Sequence, residues 1–83
     1  MNHFAHDGRL FQVIAGVLGQ TVEQVARLDA SQADTSEQSW DSLQHINIIL
    51  GVEAEFGIRF SLLEAVDLKT IPLIRAKLAT LLH

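Results

Sequence analysis

Ahead of three apolar stretches of this 83-residue chain stands one short signature, a side-chain oxygen followed three residues later by Glu or Gln: Thr21 with Gln24, Asp41 with Gln44, and Ser61 with Glu64. This is the capping box, in which each of the two side chains accepts a hydrogen bond from the other residue's backbone N–H at the start of a helix. A chain that opens helices so often commits to short helical elements. Its length leaves room for one domain. With no cysteine, neither a disulfide nor a thiolate ligand can brace that domain. The apolar core must hold the fold, and 48% apolar against 19% charged residues is an ordinary globular balance.

Apolar spacing says where the helices run. Leu10, Phe11, Ile14, Val17 and Leu18 predict a core-facing helix over 9–18, stopped by Gly19 and capped by Asn2 or Asp7. Asp7 in front and Gln12 within it, with Arg9 alone before Leu10 instead of the basic stretch a signal peptide needs, make this a core helix rather than a signal peptide. From Gly19 to Trp40 the large apolar anchors thin to Val22, Val25 and Leu28. The Thr21–Gln24 box predicts one helical turn inside a connection of about 20 residues, where about 4–6 is usual.

Asp41 and Gln44 open the next helix, which runs to Gly57. Residues 45–52 hold three Ile and one Val, a strand-like composition, but the cap before them and the unbroken Glu53-Ala54-Glu55-Phe56 after them favour the helix. Leu43, Ile46, Leu50 and Gly51 share one face, with Ile49, Val52 and Phe56 widening the band, and Leu43, Ile46 and their apolar neighbours are expected to be split between core and docking surface. Ile58 and Phe60 flank Arg59 in a short extended link. Ser61 and Glu64 open a brief helix through Val66, and Thr70 caps a last helix with Pro72 in its first turn. Ile71, Ile74, Leu78, Leu81 and Leu82 form its expected buried stripe, with Arg75 and Lys77 on the opposite face. The expectation is an all-α four-helix bundle, three main helices and a short one, with a long loop between the first two. No apolar run approaches the ~20 residues a membrane span needs.

Several residue types invite a chemical reading. Asp41, Ser42 and His45 include the residue types of a hydrolytic triad, but neighbours in one helical turn do not set acid, base and nucleophile in the required order. His3, His6, His45 and His83 lack the i, i+4 pairing of a helical metal site and read as solvent or core histidines. Glu53 and Glu55 point to different helix faces and read as solvated. The net charge of −4 argues against nucleic acid as a partner. That charge is uneven: Asp29, Asp34, Glu37, Asp41, Glu53 and Glu55 fall between Leu28 and Ile58 with no Lys or Arg among them.

Ser42 stands apart, at the first turn of a wide-banded helix that follows a long loop. Asp41-Ser42-Leu43, followed by Glu53, Glu55, Phe56, Gly57 and Ile58 at matching spacing, resembles the acyl carrier protein family over about residues 9–82. The resemblance implies a single 1–83 carrier domain. It implies that Ser42 Oγ holds 4′-phosphopantetheine, derived from coenzyme A and added by a phosphopantetheinyl transferase, with an acyl group carried as a thioester on the arm. The protein would then be a cytoplasmic monomer and not itself an enzyme. Acyl-loading and acyl-transferring enzymes would dock on the acidic region around Ser42. An apolar slot between helices holds the acyl chain in many family members.

The chain departs from the family pattern in two places. Gln38, Ser39 and Trp40 stand where many members carry Leu-Gly and another residue, so the loop is expected to pack through Trp40. Gln44 and Asn47 stand where fatty-acid carriers place acids, so a stand-alone carrier of a specialised or secondary-metabolite pathway, such as polyketide synthesis, is the closer resemblance. An aminoacyl or peptidyl carrier of a nonribosomal pathway and a helical adaptor that carries no arm are the alternatives.

Overall fold

The computed structural model describes residues 6–35 and 37–82 and folds them into five helices, with no strand among the described residues. They are α1 (Asp7–Leu18), α2 (Val22–Ser31), α3 (Ser42–Phe56), α4 (Leu62–Asp67) and α5 (Ile71–Leu82). All three capping boxes form, at the starts of α2, α3 and α4. Gly19 and Gly57 close α1 and α3 in the left-handed conformation, at φ 67° and 65°, which glycine adopts without steric penalty. The cap of α1 is His6, which makes no side-chain capping bond; Asp7 is its first helical residue, and Asn2 lies outside the described residues.

α2 corrects the sequence expectation of four helices and a long first loop holding a single helical turn. Ten residues of that loop are helical. Their apolar stripe is narrow, because Val25 alone is fully buried while Leu28 is half-buried and Val22 is exposed. Packing against α1 and α5 stabilises the helix where its own pattern is weak.

The core collects Leu10, Ile14, Val25, Ile48, Val52, Ile71, Ile74 and Leu78, all with no exposed surface. Burying each such side chain contributes about 1.5–3 kcal/mol before conformational entropy is subtracted. In α3 the buried face is Ile48, Ile49 and Val52, while Leu43, Ile46 and Leu50, which the spacing sets on one face, are 68%, 54% and 56% exposed. A helix that is apolar around most of its circumference cannot report which side is covered; here α1 covers one side and the six-residue α4 leaves much of another bare. The stripe of α5 is Ile71, Ile74 and Leu78, with Leu81 exposed.

Arg75 and Lys77, on the face opposite the buried stripe, are half-buried and paired. Arg75 donates to Asp7 on α1 at 2.9 Å and pairs with Asp29 on α2, so one guanidinium ties three helices. Burial opposes its charge, but the bonds from Asp29 and Asp7 outweigh that and raise its pKa above the usual arginine value. Lys77 pairs with Glu64 and fastens α4 to α5.

Candidate functional site

Asp41 sets the start of α3. Its Oδ1 accepts from Gln44 N at 2.7 Å, and Gln44 Oε1 accepts from Asp41 N at 3.2 Å. Ser42 is the first residue after this cap, is exposed, and its hydroxyl has no hydrogen-bond partner among the described residues. The first-turn N–H groups and the helix dipole give this end of a 15-residue helix positive character, which favours an anion by about 0.3–1 kcal/mol.

The segment leading to Ser42 is moored at both ends. Gln32, 1% exposed at the end of α2, accepts from Ile71 N at 2.8 Å and donates to Ser39 Oγ at 3.0 Å. Gln38 Nε2 donates to the Trp40 carbonyl at 2.9 Å. Trp40 is buried in the core, as expected for the residue through which the loop packs.

His45 is a structural bridge rather than a bare core histidine. Trp40 Nε1–H donates to its Nδ1 at 2.9 Å, and its Nε2 lies 2.7 Å from the Ala65 carbonyl on α4. Since a carbonyl only accepts and Nδ1 is already accepting, Nε2 carries the proton. The Trp40 and His45 rings lie 16° from parallel with centroids 6.3 Å apart, consistent with an in-plane N–H···N bond. With both nitrogens engaged, the imidazole has none free to take a proton from Ser42. Of the other histidines, His6 sets its ring edge-on to Phe56 at 5.6 Å, and His3 and His83 lie outside the described residues. No group of three or more metal-ligating side chains occurs among the described residues.

Between α3 and α4 lies a cavity of about 220 Å3, walled by Ile46, Ile49 and Leu50 on one side and Leu62, Ala65 and Val66 on the other, with the His45 ring in the wall. Its accessible lining is apolar, because the two ring nitrogens are turned to their partners. Around it Leu43, Ile46, Leu50, Leu62, Leu63 and Val66 are more than half exposed, an apolar face of the kind that marks an interaction site. A larger open depression of about 570 Å3 includes Glu53, Gly57 and Arg59, toward the other end of α3.

The acidic cluster disperses in three dimensions. Asp29 is paired with Arg75, Glu55 accepts from Arg9 at 2.8 Å, and Glu53 accepts from Phe60 N at 2.8 Å. Glu53 is half-buried where a solvated side chain is expected, and Glu55 is exposed as expected while pairing with Arg9. At 1.5 Å per residue they also stand about 16–20 Å along α3 from Ser42. Asp34, Glu37 and Asp41 are left, exposed and without an ion pair among the described residues, in the segment before Ser42.

The chain matches no model of a known protein family, no curated protein and no solved structure. No helix among the described residues is long and apolar enough to cross a membrane. Sequence reasoning reached the Asp41 cap through the capping box, and singled out Ser42 through the Asp41-Ser42-Leu43 resemblance. It missed the His45–Ala65 bond, which joins residues 20 apart and has no local signature.

Proposed function

We propose that this protein is an acyl carrier in which Ser42 holds a 4′-phosphopantetheine arm and the α3–α4 cavity receives part of a thioester-bound acyl chain. One arrangement carries the reading: an exposed, unbonded serine hydroxyl at the positive end of α3, on the same helix as an apolar slot one turn further on. A phosphopantetheinyl transferase would form the Ser42 Oγ–phosphorus bond, break the bond to the nucleotide half of coenzyme A, and remove the hydroxyl proton. The resulting phosphodiester anion would sit at the helix N-terminus, where the dipole and first-turn N–H groups favour it.

The arm would supply the thiol that the chain lacks, so the protein itself would present cargo without transforming it. A cytoplasmic monomer built as a bundle and serving a specialised pathway such as polyketide synthesis fits this reading. Transferase and acyl-transferring enzymes would meet the exposed apolar face beside Ser42, with Asp34, Glu37 and Asp41 as the acidic contribution. That leaves a smaller electrostatic share than the linear sequence suggests.

Incubation with coenzyme A and a transferase of broad specificity, followed by intact mass, tests the proposal. The wild type is expected to gain one phosphopantetheine, and Ser42→Ala to fold normally and gain none. An unmodified wild type would refute it. The exposed apolar face also fits an adaptor for a partner helix that bears no arm; a native-source protein with an unmodified Ser42 in a stable complex would favour that instead.

A further inference from the structure

α4 is an unusual wall for an apolar slot. None of its six residues is fully buried, although Ala65 packs against the core. Two side-chain bonds fasten it to neighbouring helices: Glu64 to Lys77 on α5, and His45 Nε2–H to the Ala65 carbonyl. The second lies in the wall of the cavity itself. It is also relayed, because the Trp40 N–H donated to Nδ1 holds the neutral ring in the tautomer that donates from Nε2. Trp40 in turn belongs to the segment that ends at Ser42. One imidazole therefore links the approach to the attachment serine with the outer wall of the slot.

We infer that His45 is a positioning residue for cargo: it latches α4 onto α3, and the slot so held shields apolar acyl chains long enough to reach it. This rests on the carrier reading. The cavity, about 220 Å3, exceeds the ~150 Å3 that accommodates a benzene ring, and its lining offers no hydrogen bond to a substituted chain. The favoured cargo is an unsubstituted chain of several carbons. A two-carbon acetyl group offers too little apolar surface to be held there.

The latch is tested first in the unmodified protein. Nitrogen-15 spectra should show the His45 proton on Nε2 and a bare, hydrogen-bonded Nδ1; a proton on Nδ1 alone would overturn the assignment. His45→Phe keeps a ring and deletes both bonds. It should speed amide exchange at Ala65 and Leu68 roughly ten-fold, the scale of losing one or two net hydrogen bonds, while α5 amides are unchanged. Trp40→Phe, which removes only the relayed donor, should move the same amides in the same direction and serves if His45→Phe does not fold. Unchanged exchange in a folded variant would overturn the latch.

The cargo role is then read on protein loaded from acetyl- or octanoyl-coenzyme A. Hydroxylamine takes the acyl group as the hydroxamate and frees the arm's thiol. The wild type should lose octanoyl several-fold more slowly than acetyl, and His45→Phe should remove most of that difference without altering the acetyl rate. His45→Gln, which retains an acceptor and a donor, should restore part of it. Gly51→Ala, a destabilising change between α1 and α3, should leave the ratio as in wild type. Equal octanoyl protection in wild type and His45→Phe would overturn the cargo role while leaving the carrier reading intact. Failure of the wild type to load at all would take down the carrier reading, and the cargo role with it.

Discussion

Gly51 gives a prediction in which two effects of known size oppose each other. It lies inside α3, where replacing glycine by alanine gains about 0.5–1 kcal/mol of helix stability. A Cβ placed there would stand 2.8 Å from Val13 Cγ1 on α1. Carbon atoms in favourable contact sit about 3.5–4.0 Å apart, so at least about 0.7 Å must be found. Val13 cannot readily supply it by rotation, because a β-branched side chain in a helix is held almost entirely in one rotamer. The helices must shift instead, and overpacking of this kind costs about 1–3 kcal/mol. The clash exceeds the propensity gain, so Gly51→Ala should lose about 1 kcal/mol and lower Tm by about 4–8 °C.

Gly16 is the internal control: it is exposed inside α1, nothing stands within 4 Å of its added Cβ, and Gly16→Ala should gain about 0.5–1 kcal/mol. Urea unfolding of the two single variants, and of Gly51→Ala in a Val13→Ala background, measures both quantities. With Val13 Cγ1 removed, Gly51→Ala should change sign and stabilise. If Gly51→Ala stabilises the wild-type background as much as Gly16→Ala does, the close approach of α1 and α3 is refuted.

Gln32→Leu keeps the volume but leaves the Ile71 N–H buried without its acceptor and frees Ser39; a loss of about 1–3 kcal/mol is expected by denaturant titration, with slower modification at Ser42 as the leading segment loosens. Arg75→Met should couple more strongly to Asp29→Asn than to Asp7→Asn in double-mutant cycles, because the Asp29 side chain is 18% exposed and that of Asp7 is 43%. Glu64 is held below the usual carboxylate pKa by the Lys77 side chain first and the Ser61 backbone second. Its folded pKa is thus the lower one, so its stabilising contribution is present above the unfolded value of about 4.3 and fades as pH falls through the folded value. A carbon-13 titration of the Glu64 carboxyl should give a lower midpoint in wild type than in Lys77→Met; coincident midpoints would refute the contact.

The starts of helices were legible because a capping box is local chemistry. Thr21, Asp41 and Ser61 each reach a backbone N–H only three residues away, and each bond forms. The length of α2 was not legible, because Val25 alone of its residues is fully buried and its stabilising neighbours come from α1 and α5. The opposite problem hid the face of α3: Leu43, Ile46, Ile49 and Leu50 are equally apolar, and only the position of α1 and the shortness of α4 decide that Ile49 is buried and the others are not. Period reports amphipathicity, and a helix with too little or too much apolar surface offers the period little to report.

Charge shows the same limit with a consequence for partner binding. Six acids with no base between Leu28 and Ile58 look in one dimension like a field centred on Ser42. Folding carries two of them to the far end of α3, commits Asp29 and Glu55 to Arg75 and Arg9, and sets Glu53 to accept from the Phe60 N–H. The surface beside Ser42 is instead built from Leu43, Ile46, Leu50, Leu62, Leu63 and Val66, with Asp41 at its helix cap. Screening by salt weakens exposed charge–charge attraction and leaves apolar burial intact. A transferase titrated with the wild type should therefore lose less than ten-fold of its kcat/KM between about 50 and 300 mM salt, whereas Leu43→Asp should cost more than that at either concentration. A steep salt dependence with a tolerated Leu43→Asp would show that the three remaining acids, and not the apolar face, govern the encounter.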